Sequence, residues 1–341
     1  MIVKFGQKTQ ESVGLDIGDY SIKVSSIKKE ADRNILTSYN LKKIPPEGNK
    51  AEKLSQLIKE TLDEVGVAPE DVNFSVSGSD VIVRFIDLPK MTKEQLDNSM
   101  AYEAEKYIPF NVNEVVMDSV ILGRASEAGQ MRVLLAAVKK DYLESRIKVV
   151  DKLGFGVNVV DIDPFAEFNA FLAAKNNLPK DKGTAFFDFG HTHTNMLISI
   201  GEAPCFMRQI QIGGADITNT IAEDLGISAK EAEELKTKSD EETKNKVSRS
   251  TFSVLDELIK EMQLSFGYFE NRFNEPIGNF YCSGGQTYQQ GVIEYIQEKV
   301  GAKVDRWDPT AGMVLAEDLS KEAVSSIGSQ LAVSIGLALR G

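Results

Sequence analysis

The chain has 341 residues, enough for more than one hydrophobic core given that domains usually run about 100–150 residues, and acidic side chains outnumber basic ones 51 to 39 for a formal charge of −12. No Lys/Arg block stands out that could neutralise a nucleic-acid backbone, no apolar run approaches the roughly 20 residues of a membrane span, and the opening MIVKFGQKTQE lacks the apolar core of a signal peptide. Nucleic acid is therefore a poor candidate partner, direct membrane insertion is not expected, and the two cysteines, Cys205 and Cys282, in no CxxC or Cys/His cluster, fit reduced thiols of a cytosolic protein.

From Val13 the pattern predicts strands over 13–17, 22–28 and 34–44, a helix over 50–65 and a strand over 72–78, half of an α/β domain. The helix has one apolar face (Leu54, Leu57, Ile58, Leu62, Val65), and Gly66 stops it. A second unit follows, with VIVRFIDLP as a strand, a helix over 92–106, strands over 115–122 and 131–138 and a helix over 141–153. Thr92 and Gln95 form a capping box there. Tyr102, Tyr107, Ile108, Pro109 and Phe110 cluster near the end of its first helix, as domain core or as the rim of a groove for a partner peptide.

A strand over 156–163 returns to the first domain and enters a helix with Phe165, Phe168, Phe171 and Leu172. After a strand pair over 184–199 come a strand ending near Ile210, the turn Gly213-Gly214, a helix over 216–225 capped by Ala215 or Asp216, and a short charged helix over 228–238. SDEETKNK reads as a solvated loop or helix start, and 247–273 as a long helix. A strand over 277–282 meets Ser283-Gly284-Gly285 and a helix through Gln289, Val292, Ile293, Tyr295 and Ile296, and an apolar helix over 330–339 closes the chain.

Two segments carry the chemistry. VGLDIGDYSIKV (13–24) and TAFFDFGHTHTNMLIS (184–199) each read as a strand ending in Asp and Gly, a turn, and a returning strand. Asp16 and Asp188 lie in apolar runs, where an uncompensated carboxylate costs several kcal/mol, so each needs a partner. Gly18 and Gly190 allow a tight turn that brings backbone N–H groups to a ligand, and Asp19, Tyr20, Ser21, Thr192 and Thr194 add polar side chains. Two such hairpins facing each other cradle polyphosphate, with Asp16 and Asp188 meeting a hydrated Mg²⁺. The strand-Gly-Gly-helix junction at Ser283, Gly284 and Gly285 leaves room for a ribose or flat ring. No P-loop, dinucleotide fingerprint, nucleophile elbow or HExxH helix is present, and the only histidines, His191 and His193, read as turn residues near the phosphates.

The order of DxG hairpin, second DxG hairpin with Thr, and strand-GG-helix resembles the actin-like ATPase superfamily. Over nearly the whole chain, YEAEKYIPFNVNEVVMD, QIQIGGADITNTIAEDLGISAKEAEELK, CSGGQTYQQGVIEYI and the ending SIGLALRG resemble its PilM family, cytosolic components of type IV pilus assembly. The resemblance implies an α/β, actin-like (ribonuclease H-like) two-domain ATPase fold with an FtsA-like inserted subdomain. The boundaries expected are 1–80 for the first part of domain I, 81–154 for the insertion, 155–182 for the return and connecting helix, 183–322 for domain II with a helical subdomain about 216–275, and 323–341 for a C-terminal helix on domain I. By the same resemblance Asp16, Gly18, Asp19, Ser21 and Lys23 match the first phosphate motif and Asp188, Gly190, Thr192 and Thr194 the second, with His191 at the phosphate end. Gly213 and Gly214 follow as in relatives, and Ser283, Gly284 and Gly285 match the adenosine motif. Asp163, before Pro164, matches the residue that positions attacking water, where hydrolysing relatives more often carry Glu or Gln.

The implied function is a nucleotide-binding adaptor holding ATP or ADP with Mg²⁺ between its domains, with binding favoured over turnover. Its implied partner is the cytosolic N-terminal peptide of a PilN-like membrane protein, which recruits it to the cytoplasmic face of the inner membrane; self-association stays open. Two rivals share the superfamily. An FtsA-like division protein calls for a C-terminal linker and a basic amphipathic helix, and the sequence reaches Gly341 without one. A small-molecule kinase needs a catalytic Asp, for which Asp161 or Asp163 are the candidates.

Overall fold

The computed structural model describes residues 11–30, 33–45, 51–122, 129–174, 178–238 and 241–341. The expectations for 1–10 and for Ser239 and Asp240 lie outside the described residues. Strands β1 (Glu11–Ile17), β2 (Ser21–Glu30) and β3 (Arg33–Lys43) open the chain, followed by helix α1 (Ala51–Asp63) and strand β4 (Asp71–Val76). Next come β5 (Val81–Pro89), α2 (Lys93–Ala104), β6 (Val115–Leu122), β7 (Gln130–Lys139) and α3 (Lys140–Asp151), then β8 (Gly156–Ile162) and α4 (Asp163–Ala174). The second half runs β9 (Gly183–Phe189), β10 (Thr194–Ile200), β11 (Ala203–Ile210), α5 (Gly214–Leu225), α6 (Ala229–Lys238) and α7 (Glu241–Phe273). It ends with β12 (Ile277–Ser283), α8 (Val292–Val300), β13 (Val304–Arg306), β14 (Val314–Leu315), α9 (Lys321–Ile327) and α10 (Ala332–Ala338).

Two compact units result, one from the stretches before 76, 147–176 and 308–341, the other from 76–146 and 177–307. In the first, the sheet order is β14-β3-β2-β1-β4-β8, with β1 antiparallel to β2 and parallel to β4. The second holds a sheet of order β11-β10-β9-β12-β13, with β9 antiparallel to β10 and parallel to β12. The duplication read in two short hairpins thus extends over five strands of each sheet. Strands β9 and β10 are buried almost throughout, which is why they are continuous apolar runs rather than alternating ones. Their side chains, with those of α5, α7 and β12, form one core around Phe187, Met196, Ile217, Leu255 and Phe269. The same unit carries the three-stranded sheet β5-β7-β6, whose core gathers Leu96, Met100, Ile108, Val133 and Leu135.

Local chemistry explains most element ends. Thr92 and Gln95 form the expected capping box, with Gln95 N–H to Thr92 Oγ1 at 3.2 Å and Thr92 N–H to Gln95 Oε1 at 2.9 Å. Three expectations are corrected. Helix α5 starts at Gly214 with Gly213 as its N-cap, not Ala215 or Asp216, because the Asp216 carboxylate reaches back to the Gly213 N–H at 2.8 Å. The helix expected through Gln289 is a 3₁₀ turn over Gly285–Tyr288 and then α8, since Gly291 has φ +82° and no helix continues through that conformation. The C-terminal helix is likewise split into a 3₁₀ turn over Gly328–Leu331 and α10, and α9 precedes it unforeseen, burying only Val324.

Helix α10 fixes the first unit by lying against β1 and α4 at backbone distance. A Cβ on Gly336 would lie 1.7 Å from the Ala166 carbonyl oxygen, and one on Gly14 would lie 1.9 Å from that of Ser334. Ser25 and Ser334 bond through their hydroxyls at 2.7 Å, and Asn73 Nδ2 donates to the Leu337 carbonyl at 3.0 Å. We expect Gly336→Ala to cost about 1–3 kcal/mol, the range for overpacking a tight core. An unchanged urea midpoint would show that the helix is not seated this closely.

Candidate functional site

In the first unit, Asp16 is buried next to the end of β1 and faces Lys23 of β2 in register. The Lys23 ammonium lies 3.0 Å from Asp16 Oδ2, the partner that a carboxylate inside an apolar strand requires. The Gly18 N–H closes the turn onto the Ser21 carbonyl at 3.2 Å, and Tyr20 is held by Ile44 N–H on its carbonyl at 2.8 Å and by the Lys43 ammonium 5.2 Å from its ring centre. Asp19 is exposed at the tip, while Ser21 is buried.

The second unit brings three sequence-distant glycine segments together. The hairpin β9–β10 turns through Gly190, His191, Thr192 and His193, and its carbonyls at Gly190 and His191 accept from the Gly214 and Ala215 N–H groups at 3.0 and 2.7 Å. Thr194 Oγ1 donates to the Ile212 carbonyl at 2.8 Å, and Thr192 Oγ1 lies 3.0 Å from His193 Nδ1. Neither Gly18 nor Gly190 takes a positive φ, so the tight-turn reason expected for them is replaced by a spatial one. A Cβ on Gly190 would lie 2.8 Å from the His193 carbonyl oxygen, and one on Gly213 would lie 2.4 Å from that of His191. Ser283 pairs with Asp188 across the parallel β12/β9 register. Gly284 then takes φ +90°, and a Cβ there would lie 2.5 Å from the Phe189 carbonyl oxygen and 2.7 Å from Asp188 Oδ1. Asp188, Gly190, His191, Thr192, Thr194, Gly213, Gly214, Ser283, Gly284 and Gly285 therefore share one backbone-lined corner of this unit.

Beside that corner opens a cavity of about 490 Å³ that the sequence reading missed. Glu233, Lys236, Phe252, Gly285, Tyr288 and Gln289 line it. Lys236, in the segment read as a short charged helix, has a side chain only 3 % exposed. Its ammonium donates to the Gly214 carbonyl, Thr218 Oγ1 and Glu233 Oε2, each at 3.1 Å. The available signal was register: Lys236 stands four residues after buried Ala232, on the apolar stripe of α6. Burial works to raise the Glu233 carboxyl, but Lys236 and the Thr218 hydroxyl outweigh it and hold the group below the usual carboxylate range.

Of the other residues singled out, Asp163 begins α4, and Asp161 lies two residues before it at the end of β8. Burial pushes the Asp161 carboxyl above its usual range, against the Ile162 N–H at 2.8 Å and Arg340 Nε at 3.3 Å. Asn169 Nδ2 also donates to Asp161 Oδ2 at 3.4 Å. In the suggested peptide rim, Tyr102 and Pro109 are exposed and Tyr107 and Phe110 half-buried, while Ile108 is buried in the three-stranded sheet's core. Among the described residues no group of three His, Cys, Asp or Glu side chains converges to hold a metal.

Because its folded value is depressed, Glu233 contributes stability that is complete above its unfolded value and is lost as the pH falls through the folded one. In Lys236→Met we expect the Glu233 titration, followed by carboxyl NMR, to move to higher pH, with less stability lost on acidification. A titration at the wild-type position would show that the ammonium does not govern this carboxylate.

A family model for the type IV pilus assembly protein PilM matches residues 14–341. A solved PilM–PilN type IV pilus biogenesis complex contains a chain similar at TM-score 0.86 and 27 % identity, covering 97 % of this chain and 98 % of that one. Ethanolamine utilization protein EutJ from Carboxydothermus hydrogenoformans (TM-score 0.57, 15 % identity, 98 % and 91 % covered) is similar in fold alone. The same holds for a diol dehydratase-reactivating factor (TM-score 0.58, 10 % identity, 97 % and 99 % covered). The mixed α/β fold is that of the actin-like ATPases, and the chain belongs to the PilM family of type IV pilus assembly proteins.

Proposed function

We propose that this protein is a nucleotide-binding adaptor of type IV pilus assembly, taking Mg·ATP or Mg·ADP on its two DxG hairpins and the cytosolic N-terminal peptide of a PilN-like membrane protein. The observation that carries the nucleotide reading is the cavity with Glu233 and Lys236 beside the glycine corner at Asp188. A wall that sets the rings of Phe252 and Tyr288 among amides and charges suits a nucleoside, and clustered backbone with no Cβ admits phosphates to close approach. In this reading Lys23 would supply a cation to the phosphates, and Asp16 and Asp188 are the carboxylates that would meet a hydrated magnesium ion. Asp163 would aim a water, but its carboxylate is one C–C bond shorter than Glu, so binding rather than rapid turnover is the expected task.

The peptide reading is supported by the chain of the PilM–PilN complex, similar over 97 % of this one. Exposed Tyr102 and Pro109 offer an apolar rim of the kind an extended peptide uses. No described helix is long and apolar enough to cross a membrane, and a peptide from a membrane-anchored partner would bring the protein to the cytoplasmic face of the inner membrane. Arg340 and Asn169 already engage Asp161, which speaks against Asp161 as the catalytic acid of the kinase rival and leaves Asp163 as its candidate.

Calorimetric titration should show Mg·ATP binding to the wild type and at least about tenfold weaker binding to Asp188→Ala, the loss expected when a charged contact is removed. Equal affinity in the two would overturn the placement of phosphate at this hairpin. Separately, a PilN N-terminal peptide should bind the wild type, and Tyr102→Ala should weaken it about tenfold, as for an aromatic anchor. A peptide that binds both alike removes the rim from the partner site.

A further inference from the structure

We infer that two copies of this chain associate through the exposed face of α7 around Gly267, their α7 helices crossing antiparallel about a two-fold axis. Leu264, Gly267, Tyr268 and Asn271 follow the spacing i, i+3, i+4, i+7 and so share one face of that helix. Leu264 is 66 % and Tyr268 58 % exposed. The Phe206 ring of β11 lies 5.6 Å from the Tyr268 ring, so apolar surface continues from the helix onto the sheet edge rather than being scattered singly.

Gly267 adds an independent observation. It stands within the regular helix without a positive φ, and a Cβ there would meet nothing within 4 Å. Glycine weakens a helix more than any residue except proline, and neither backbone conformation nor crowding inside the chain calls for it here. What it provides is a notch between Leu264 and Tyr268, where another backbone can come close.

A second copy fits that notch by symmetry, because a two-fold contact uses the same patch on both sides. The axis that sets Leu264 of one copy over Gly267 of the second also sets it beside the second copy's Tyr268, and the reverse pair forms at once. One turn further out the same operation brings Glu261 opposite Arg272 of the second copy. At 100° per residue both lie on the Tyr268 flank of the face, whereas Lys260 lies on the Gly267 flank, away from Arg272. Within its own copy Glu261 pairs with Arg208, and Arg272 with Asp87 at 2.7 Å. Both side chains are thereby held in place, and opposite charges at the two ends of the contact make the face complementary to itself in the antiparallel sense.

Sedimentation velocity of the full chain over a concentration series reads the association. We expect a reversible monomer–dimer equilibrium in the wild type, weakened about tenfold or more in Leu264→Ala, the loss typical of an interface anchor. Gly267→Ala separates this role from a structural one. Alanine has room there and favours helix, so the urea midpoint should rise while dimerisation weakens by about tenfold or more. Glu261→Arg and Arg272→Glu should each abolish the dimer alone and restore it when mixed in equal amounts, since every contact then pairs Arg with Glu. A wild type that sediments as a monomer at every concentration overturns the inference and leaves the face to a different protein. A dimer unaffected by Leu264→Ala and Gly267→Ala overturns it too, by placing the contact elsewhere, and a mixture of the charge variants that stays monomeric overturns the antiparallel arrangement. No nucleotide or peptide enters these measurements, so they stand apart from the two binding sites proposed above.

Discussion

A side-chain methylene at Gly284 would lie 2.5 Å from the Phe189 carbonyl oxygen and 2.7 Å from Asp188 Oδ1, and one at Gly213 would lie 2.4 Å from the His191 carbonyl oxygen. Three stretches of main chain, from β9–β10, the start of α5 and the end of β12, therefore meet where no side chain has room. The rest of the second unit depends on that meeting. The N–H groups that open α5 bond to the hairpin carbonyls of Gly190 and His191, so the helix starts where the turn ends and cannot shift without breaking both. Lys236 then adds its ammonium to the Gly214 carbonyl, which ties α6, and the cavity it lines, to the same point.

Repetition of one strand plan in both units makes the differences between the hairpins informative. In the register of the antiparallel pairs, Asp16 stands opposite Lys23, while Asp188 stands opposite Asn195. The first hairpin thus carries its own cation at 3.0 Å, and the second carries an amide whose oxygen accepts from Gln209 Nε2 at 3.2 Å. Around Asp188, crowding by Gly284 and the parallel pairing of Ser283 shape the surroundings of the carboxylate without a lysine on the facing strand. One hairpin is arranged for charge and the other for close backbone approach.

What could be read from the residues follows what side-chain chemistry makes costly. A carboxylate inside the apolar runs LDI and FDF demands an explanation, and so both hairpins, the strands around them and the actin-like plan were legible. The reason for their glycines was not. Gly18 and Gly190 looked like turn formers, yet neither uses a positive φ: a Cβ on Gly190 would meet the His193 carbonyl of its own turn, while the need for space at Gly213 and Gly284 is set by segments far away in sequence. Lys236 was lost for a related reason. Within AKEAEELKTK every charge looks solvated, and only the carbonyl of Gly214 and the hydroxyl of Thr218, respectively 22 and 18 residues away, make a buried ammonium tolerable. Gln289 was read as part of a helix because its neighbours have helical spacing, and the left-handed Gly291 that detaches it from α8 shows no local signature.

The long helix α7 ties the cavity to the rest of its unit. It has 33 residues, about 50 Å at the rise of an α-helix. Val247, Ser248 and Phe252 near one end line the cavity, and Thr251 braces Gln289. Near the other end, Phe269 lies in the core, Phe273 lies beneath the Arg132 guanidinium at 4.6 Å, and Arg272 pairs with Asp87 of β5 at 2.7 Å. Burial lowers the Arg132 pKa while Asp87 raises it, so one carboxylate serves a guanidinium from β7 and another from α7. Removing Asp87 would leave two cations facing each other at that junction, whereas removing Arg272 leaves Asp87 with Arg132. The Asp87 carboxylate, with Arg132 over Phe273, thus joins the three-stranded sheet to the far end of α7, the helix whose other end lines the cavity.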